Sequence, residues 1–488
     1  MSLPLATPGR KLGSIALWTG IVAIGVFSLF TLAVARGETV NAMWLAAAAI
    51  CVYLTAYRFY SLFIAERALG LDPQRKTPAH RRNDGLDYVP TDKYVLFGHH
   101  FAAIAGAGPL VGPVLAAQMG YLPGTLWLLT GVVFAGAVQD FVVLFISTRR
   151  DGRSLGDLIK TELGPAAGIV AMVGILTIML ILLAVLALIV VKALADSPWG
   201  FFTVFATLPI AVLMGVYGRY LRPGRIFEMS AIGFVLLIGS IALGRTVAET
   251  PALAALFSFK GEALAFMLIF YGFVASVLPV WLLLAPRDYL STFLKIGTIW
   301  PRFKHTRAWI PNFGATGLAV AGWGWFLYQG VVDPLGGINT LWPMFGIANQ
   351  MLAAIALTLC TVVLFRMKRE RYAVIVAAPA AWLYICTLTA GAEKIFHPDP
   401  KIGFLAHAAR YSAAAAEGRL LAPAKTAAEM SRIVFNDYVN TTLCAVFIAL
   451  VLSMLFFGLR AIGEARRATS VTTRETSDEL HDLRIARA

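Results

Sequence analysis

Charge is scarce in this sequence. Only 14% of its 488 residues are Asp, Glu, Lys or Arg, against about a quarter in soluble domains. With 59% of residues hydrophobic, a soluble fold of this length could not hide its apolar surface, which excludes an ordinary globular protein and points to the bilayer. Acidic residues are the scarcer sign, 27 Asp and Glu against 41 Lys and Arg, for a net charge of +14. That excess sits in short clusters between apolar runs, with no basic face interleaved with aromatics, so nucleic acid is not an expected partner. Cysteine is nearly absent: Cys51, Cys360, Cys386 and Cys444 all fall in apolar stretches without CxxC or Cys/His ligand spacing. Neither a zinc site nor a disulfide framework is indicated, and the four read as small buried hydrophobes. Also missing are a GxxxxGK[ST] phosphate loop, an HExxH pair and a GxGxxG after a strand. ATP-driven pumping by this chain alone is therefore not expected, nor is a cofactor or a resident metal. No acid, nucleophile and oxyanion constellation marks an enzyme.

What is present is a series of apolar runs of membrane-spanning length, about 20 residues each. Twelve are found, near 14–35, 42–65, 96–120, 122–147, 166–191, 199–219, 226–244, 262–285, 313–330, 341–365, 373–393 and 438–459. All are expected to be helical, because lipid cannot satisfy a loose backbone. Arg10 and Lys11 precede a first run ending in Ala33, Val34 and Ala35. It resembles a signal peptide but exceeds the usual h-region of about 7 to 15 residues, so an uncleaved first span is expected.

Orientation follows from the basic residues, which collect in short cytoplasmic loops. With the N-terminus inside, the inner segments hold clusters such as Arg75, Lys76, Arg81 and Arg82; Arg149, Arg150, Arg153 and Lys160; Arg366, Lys368, Arg369 and Arg371; and the tail after Arg460. The outer loops are poorer, with none between 331 and 340. The expectation is a multi-pass protein of the bacterial inner membrane with both termini cytoplasmic. It comprises a transmembrane domain over 1–463, including an outer loop at 394–437 that reads as one or two short surface helices, and a disordered tail over 464–488.

Within this frame the stretch FGHHFAAIAGAGPLVGPVLAAQMGYLPG, residues 97–124, stands out. Gly106, Gly108, Pro109, Gly112 and Pro113 interrupt an apolar span, and in a membrane the backbone groups they free are tolerable only against protein or a water-filled cavity. A discontinuous helix there would offer N–H groups to an anionic substrate and carbonyls to a cation; the alternative is close helix packing through small residues. His99 and His100 open this span and suit a proton shuttle, or merely cap a helix. Gln139 and Asp140 lie inside the fourth span, where a carboxylate is costly and so faces a cavity or a partner, Arg149 being one option. Gly272 and Pro279 suggest a second kinked helix, which would bring Tyr271 to a cavity. Asp333 falls in an outer turn marked by DP and GG. Asn349 and Gln350 lie well inside the next span, as interhelical hydrogen-bonding groups or as substrate contacts. Glu228 reads as an interface residue paired with Arg222 or Arg225.

The runs NDGLDYVPTDKYVLFGHHFAAIAGAGPLVGPVLAAQMGYLPG at 83–124 and AGAVQDFVVLFISTRRDGRSLGDLIK at 135–160 resemble the carbon starvation protein A family. The likeness continues through ALADSPWG, RYLRPGR, YGFVASVLPVWLLLAPRDYLSTFLKIGTI and YQGVVDPLGGINTLWPMFGIANQMLA, and spans about 14–460. The resemblance implies an inner-membrane carrier induced by carbon starvation, linked to peptide uptake and, in close relatives, to pyruvate–proton symport. It also implies a fold related to LeuT-type transporters, with the interrupted helix lining the substrate path. It assigns no residue a role. One departure is large: from Thr298 and Ile299 the chain passes through Trp300 and Pro301 into a short basic link and resumes the family pattern near Trp323. Relatives are longer there, and since the charge alternation survives the join, an even number of helices is missing. The expected function is proton-coupled uptake of a pyruvate-like carboxylate or a short peptide, with Gly106, Gly108, Pro109, Gly112, Pro113, Tyr271, Asn349 and Gln350 on the substrate and His99, His100, Gln139 and Asp140 on the proton. The rival expectation is a shortened, non-transporting or split protein that needs a partner subunit; self-association stays open.

Overall fold

The computed structural model describes residues 42–84, 88–91, 120–217, 226–277 and 309–468, with isolated positions elsewhere. Most of these residues are helical and none lies in a strand, as a chain that must satisfy its backbone inside lipid requires. They divide into two compact units after Leu71.

In the first unit the continuously described residues form one long helix. Helix α1, Ala42–Thr55, runs on through two π-helical turns at Ala56–Ser61 and Ile64–Leu69. It stops at Gly70, whose φ of 62° is the left-handed conformation that ends helices and that a side chain disfavours.

The second unit is a helical bundle. Helix α2, Tyr121–Gly131, continues through a π turn at Val132–Gly136 into α3, Ala137–Arg149. A short amphipathic helix follows, α4, Leu155–Leu163, capped by Ser154, whose hydroxyl accepts from the Asp157 N–H. Then come α5, Pro165–Leu194, α6, Pro198–Val216, and α7, Ile226–Glu249. Next are α8, Pro251–Phe257, α9, Gly261–Val277, and α10, Trp309–Val332. The chain ends in α11, Gly337–Arg366, α12, Val374–Phe396, α13, Phe404–Ala416, and α14, Ala427–Arg467. Helix α11 is the strut of the bundle: it packs on α3, α5, α12 and α14, and its most apolar stretch is 78% buried. Small residues allow the close approaches. A Cβ at Gly458 would lie 2.4 Å from Thr358 Cγ2, and one at Gly174 would lie 3.3 Å from a Leu450 methyl.

Among the described residues six helices are long and apolar enough to cross a bilayer, and a seventh arises if Val235–Glu249 and Pro251–Phe257, bent by 112°, count as one. That is fewer than the twelve spans expected. Runs 14–35 and 96–120 fall mostly outside the described residues, and the apolar parts Pro198–Ile210 and Gly261–Val277 are short. The outer segment 394–437 carries the helix α13 and the start of α14, which begins at Ala427, where Thr426 caps it by accepting from the Glu429 N–H, and runs on without a break into the span expected from 438.

The loop ends segregate within this unit. At one end Arg81 and Arg82 both pair with Asp151, Tyr88 donates to the Asp151 carbonyl at 2.8 Å, and Lys368 donates to the carbonyls of Ala465 and Ala468. At the other, Arg432 donates to the Val332 carbonyl at 3.3 Å and the Asp196 N–H to the Phe259 carbonyl. The segments grouped at the first end are those whose basic residues read as inner, and those at the second read as outer.

Candidate functional site

Asp140 sits on the first turn of α3, immediately after the π turn Val132–Gly136. A π turn inserts an extra residue in the hydrogen-bond ladder and re-aims the side chains that follow, a device found often at functional sites. Here the aliphatic, β-branched Val132 and Val133 and the small Ala135 and Gly136 form that turn. Asp140 is half-buried, and among the described residues it makes no side-chain hydrogen bond or salt bridge. Arg149 is not its partner. The two stand nine residues apart on one helix, roughly 13 Å at about 1.5 Å per residue, and the Arg149 guanidinium lies 5.3 Å from the Phe145 ring centroid instead.

The charged group that does reach Asp140 is His100, close enough for its charge to act on the carboxylate. His100 and Asp140 come from two expected spans and make no hydrogen bond or salt bridge with each other among the described residues; Gln139 is half-buried beside Asp140. His100 itself is exposed and helical, while His99 lies outside the described residues.

Of the interrupted helix, Gly106, Gly108 and Pro109 lie outside the described residues; Gly112 and Pro113 are helical and half-buried. Among the described residues a Cβ placed on Gly112 would meet no atom within 4 Å.

Tyr271 is half-buried on α9, which packs on α10 and α5, whereas α3 packs on α11. The helix is unbroken from Gly261 to Val277, so Gly272 makes no kink, and Pro279 is outside the described residues. Its missing side chain instead admits Trp323: a Cβ on Gly272 would lie 2.7 Å from Trp323 Cζ2. Asn349 and Gln350 are both exposed on α11, and among the described residues neither amide bonds to a neighbouring helix. Glu228 accepts from the Tyr217 hydroxyl at 2.8 Å; the arginines expected beside it are outside the described residues.

Two buried polar clusters went unread in the sequence. At one end of the bundle Arg150 Nε donates to Glu162 Oε1 at 2.7 Å, with Arg366 Nε 3.5 Å from Glu162 Oε2. The available signal was a glutamate one turn beyond Leu158 on the apolar face of α4. At the other end His407 Nδ1 and Asp437 Oδ2 are 2.6 Å apart, Tyr411 lies 4.7 Å from the imidazole, and its hydroxyl donates to the Ala422 carbonyl. Burial pushes the Tyr411 phenol upward; the neighbouring Arg410 acts against this and Asp437 adds to it. Asp333 is buried in the nearby turn, where its carboxylate accepts from the Leu335 N–H and its carbonyl from the Gly336 N–H. Among the described residues no group of three His, Cys, Asp or Glu is placed to hold a metal ion.

The family described as Carbon starvation protein CstA matches residues 41–301 and 297–390. The peptide transporter CstA of Escherichia coli (strain K12) is 41% identical over 96% of this chain and 97% of its own. The pyruvate/proton symporter BtsT of the same organism is 38% identical over 94% of this chain and 96% of its own. The peptide transporter CstA of Bacillus subtilis (strain 168) is 49% identical over 53% of this chain and 42% of its own. The alignment with the first runs over 685 positions, although this chain has 488 residues. A part of that relative thus has no counterpart here, and the two stretches of the family match meet at 297–301. No solved structure matches.

Proposed function

The chain belongs to the carbon starvation protein CstA family, and on that premise we propose that it is a secondary active transporter that takes up a pyruvate-like carboxylate or a short peptide with protons. The observation that carries this reading is Asp140: a carboxylate inside a membrane helix, just after a π turn, without a hydrogen bond among the described residues and facing the charge of His100. A carboxylate left unpaired in a span is expensive unless a cavity or a binding cycle uses it. Protonation would let Asp140 cross between two accesses as a neutral group, and His100 would load or unload it. Gln139 would orient the carboxyl group.

The substrate path proposed is lined by the interrupted segment Gly106–Pro113, including Gly108, Pro109 and Gly112, by Tyr271, and by Asn349 and Gln350. The exposed amides on α11 and the open space beside Gly112 support it. We place the twelve spans in the bacterial inner membrane, in an arrangement related to LeuT-type carriers, with both termini cytoplasmic. Proteoliposomes given an imposed inward proton gradient should accumulate labelled pyruvate or a labelled dipeptide. Absence of accumulation for both, with the protein correctly inserted, would rule the carrier out.

One observation favours a second reading. The family match is in two pieces that meet near residue 300, and the relatives are longer. A chain lacking that block would transport only with a partner subunit that supplies it. Co-expression with the missing block of a relative distinguishes the two: uptake that appears only then favours the split carrier.

A further inference from the structure

Helix α10 carries Trp325 and Gln329 at an interval of four, with Asp333 at the same interval just past its end, and α14 carries Asn436 and Asn440 likewise. Residues so spaced share one helix face. The two faces meet at the end of the bundle where the outer segments gather, and they do not close on each other. With Phe326 they line a cavity that leaves about 20 Å³ for the centre of a guest, room for one water-sized occupant. Helix α10 packs chiefly on α5, α9 and α11, and Arg432 of α14 reaches it by donating to the Val332 carbonyl. We propose that the cavity binds a sodium ion, held between α10 and α14 by side-chain oxygens.

Asn440 points to a ligand most directly. It is 3% exposed, its amide opens on the cavity, and among the described residues it makes no side-chain hydrogen bond. A buried amide is costly to leave without a partner. The amides of Gln329 and Asn436, half-buried on the same wall, make no side-chain hydrogen bond among the described residues either. Each can turn its carbonyl oxygen inward by a half-turn of the terminal torsion. Asp333 adds a carboxylate, 6% exposed, whose orientation is set by the Leu335 N–H. Three neutral oxygens and one anionic group, all hard donors, make the ligand set of a hard cation.

A water molecule would answer the amides as well, and charge decides against it. Asp437, next to Asn436, is 2% exposed and lies within reach of the Asp333 charge, so two buried carboxylates repel each other beside the cavity. A cation among the amides relieves that repulsion, and a neutral water does not. His407 engages Asp437 at 2.6 Å, which leaves Asp333 as the carboxylate on the cavity wall. One wall carboxylate matches a single positive charge, whereas tight calcium sites gather several. Room for one water-sized guest suits a dehydrated sodium ion better than the larger potassium ion.

Equilibrium binding of radiolabelled sodium to the full chain in detergent and choline chloride tests the assignment. It involves no transport, so its outcome stands apart from the carrier reading. The expected result is one ion per chain, displaced by excess unlabelled sodium chloride and not by the same concentration of potassium or calcium chloride. Asn440→Leu, which replaces the amide by an apolar group of similar size, should weaken binding at least about tenfold, as should Gln329→Met. Both variants should melt with the parent in choline chloride and lack the rise that sodium gives the parent. Should Asn440→Leu fail to fold, Gln329→Met on the half-buried wall decides alone. Absence of saturable binding in the parent would show a cavity that holds water only and would overturn the proposal. So would parent-like affinity in Gln329→Met or in folded Asn440→Leu, or equal displacement by potassium or calcium.

Discussion

Arg150 and Glu162 form an ion pair across the turn between α3 and α4, at 2.7 Å and with only 2% and 0% of their side chains exposed. Arg366 closes the group from α11 by donating to the Glu162 carbonyl at 2.6 Å. Removing one member of such a group leaves the others charged and buried. Glu162→Ala should therefore destabilise the bundle by about 3–5 kcal/mol, and replacing Arg150 and Glu162 together by Met and Leu should cost less than the sum of the single changes. Thermal unfolding of the parent, Arg150→Met, Glu162→Leu and the double variant in one detergent measures the difference; additive losses would show that the two side chains do not act as a pair.

Transport should separate chemistry from architecture at Asp140. Asp140→Asn keeps the size and polarity of the side chain but cannot carry a proton as an acid. Uptake driven by a pH gradient should fall at least about tenfold, while exchange of substrate across liposomes with no gradient persists. His100→Gln should act in the same direction. A variant that accumulates substrate as the parent does would remove Asp140 from the coupling step.

Gly272 tests packing. Its substitution by Ala forces a methyl group to within 2.7 Å of Trp323 Cζ2, and Trp323 is only 4% exposed, so the ring has little room to withdraw. Overpacking of this kind costs about 1–3 kcal/mol. The smaller ring of Trp323→Phe, introduced beside Gly272→Ala, should recover part of the loss, as read from the melting temperatures of the single and double variants.

His407 and Asp437 join α13 to α14 at the opposite end, with Asp437 2% exposed. His407→Ala leaves that carboxylate without this partner and should destabilise the contact by about 1–3 kcal/mol. The local readout is proteolysis: the segment 417–426 between the two helices should be cut faster in the variant. An unchanged rate would mean that the core in which Tyr411 packs with Met430 and Ile433 holds α13 by itself.

The helical class and most helix positions were legible because hydropathy is set by local composition. The runs at 166–191, 341–365 and 373–393 appear within a few residues as α5, α11 and α12. The start of α14 was not, since Ala427–Asp437 is too polar to read as a span; it is set by Thr426, which accepts from the Glu429 N–H, and by Glu429, whose carboxylate accepts from the Lys425 N–H. Candidate residues were legible where a charge in an apolar run announced itself, as at Asp140. They were hidden where the partner is distant in sequence: Arg150 gave no hint of Arg366, nor His407 of Asp437. Gly272 misled, because a glycine in a helix has the same sequence signature whether it bends the chain or makes room for a ring.

The central position of α11 bears on how the protein is made. A ribosome delivers this helix before α12 and α14, two of the neighbours that cover it. Until they emerge, one side of α11 must wait in the translocon or against lipid with Thr358 and Thr361 on the face that will later be enclosed. Biogenesis thus has a late closing step, and a chain halted before Ala427 should be taken by membrane quality-control proteases even though its earlier helices have already inserted.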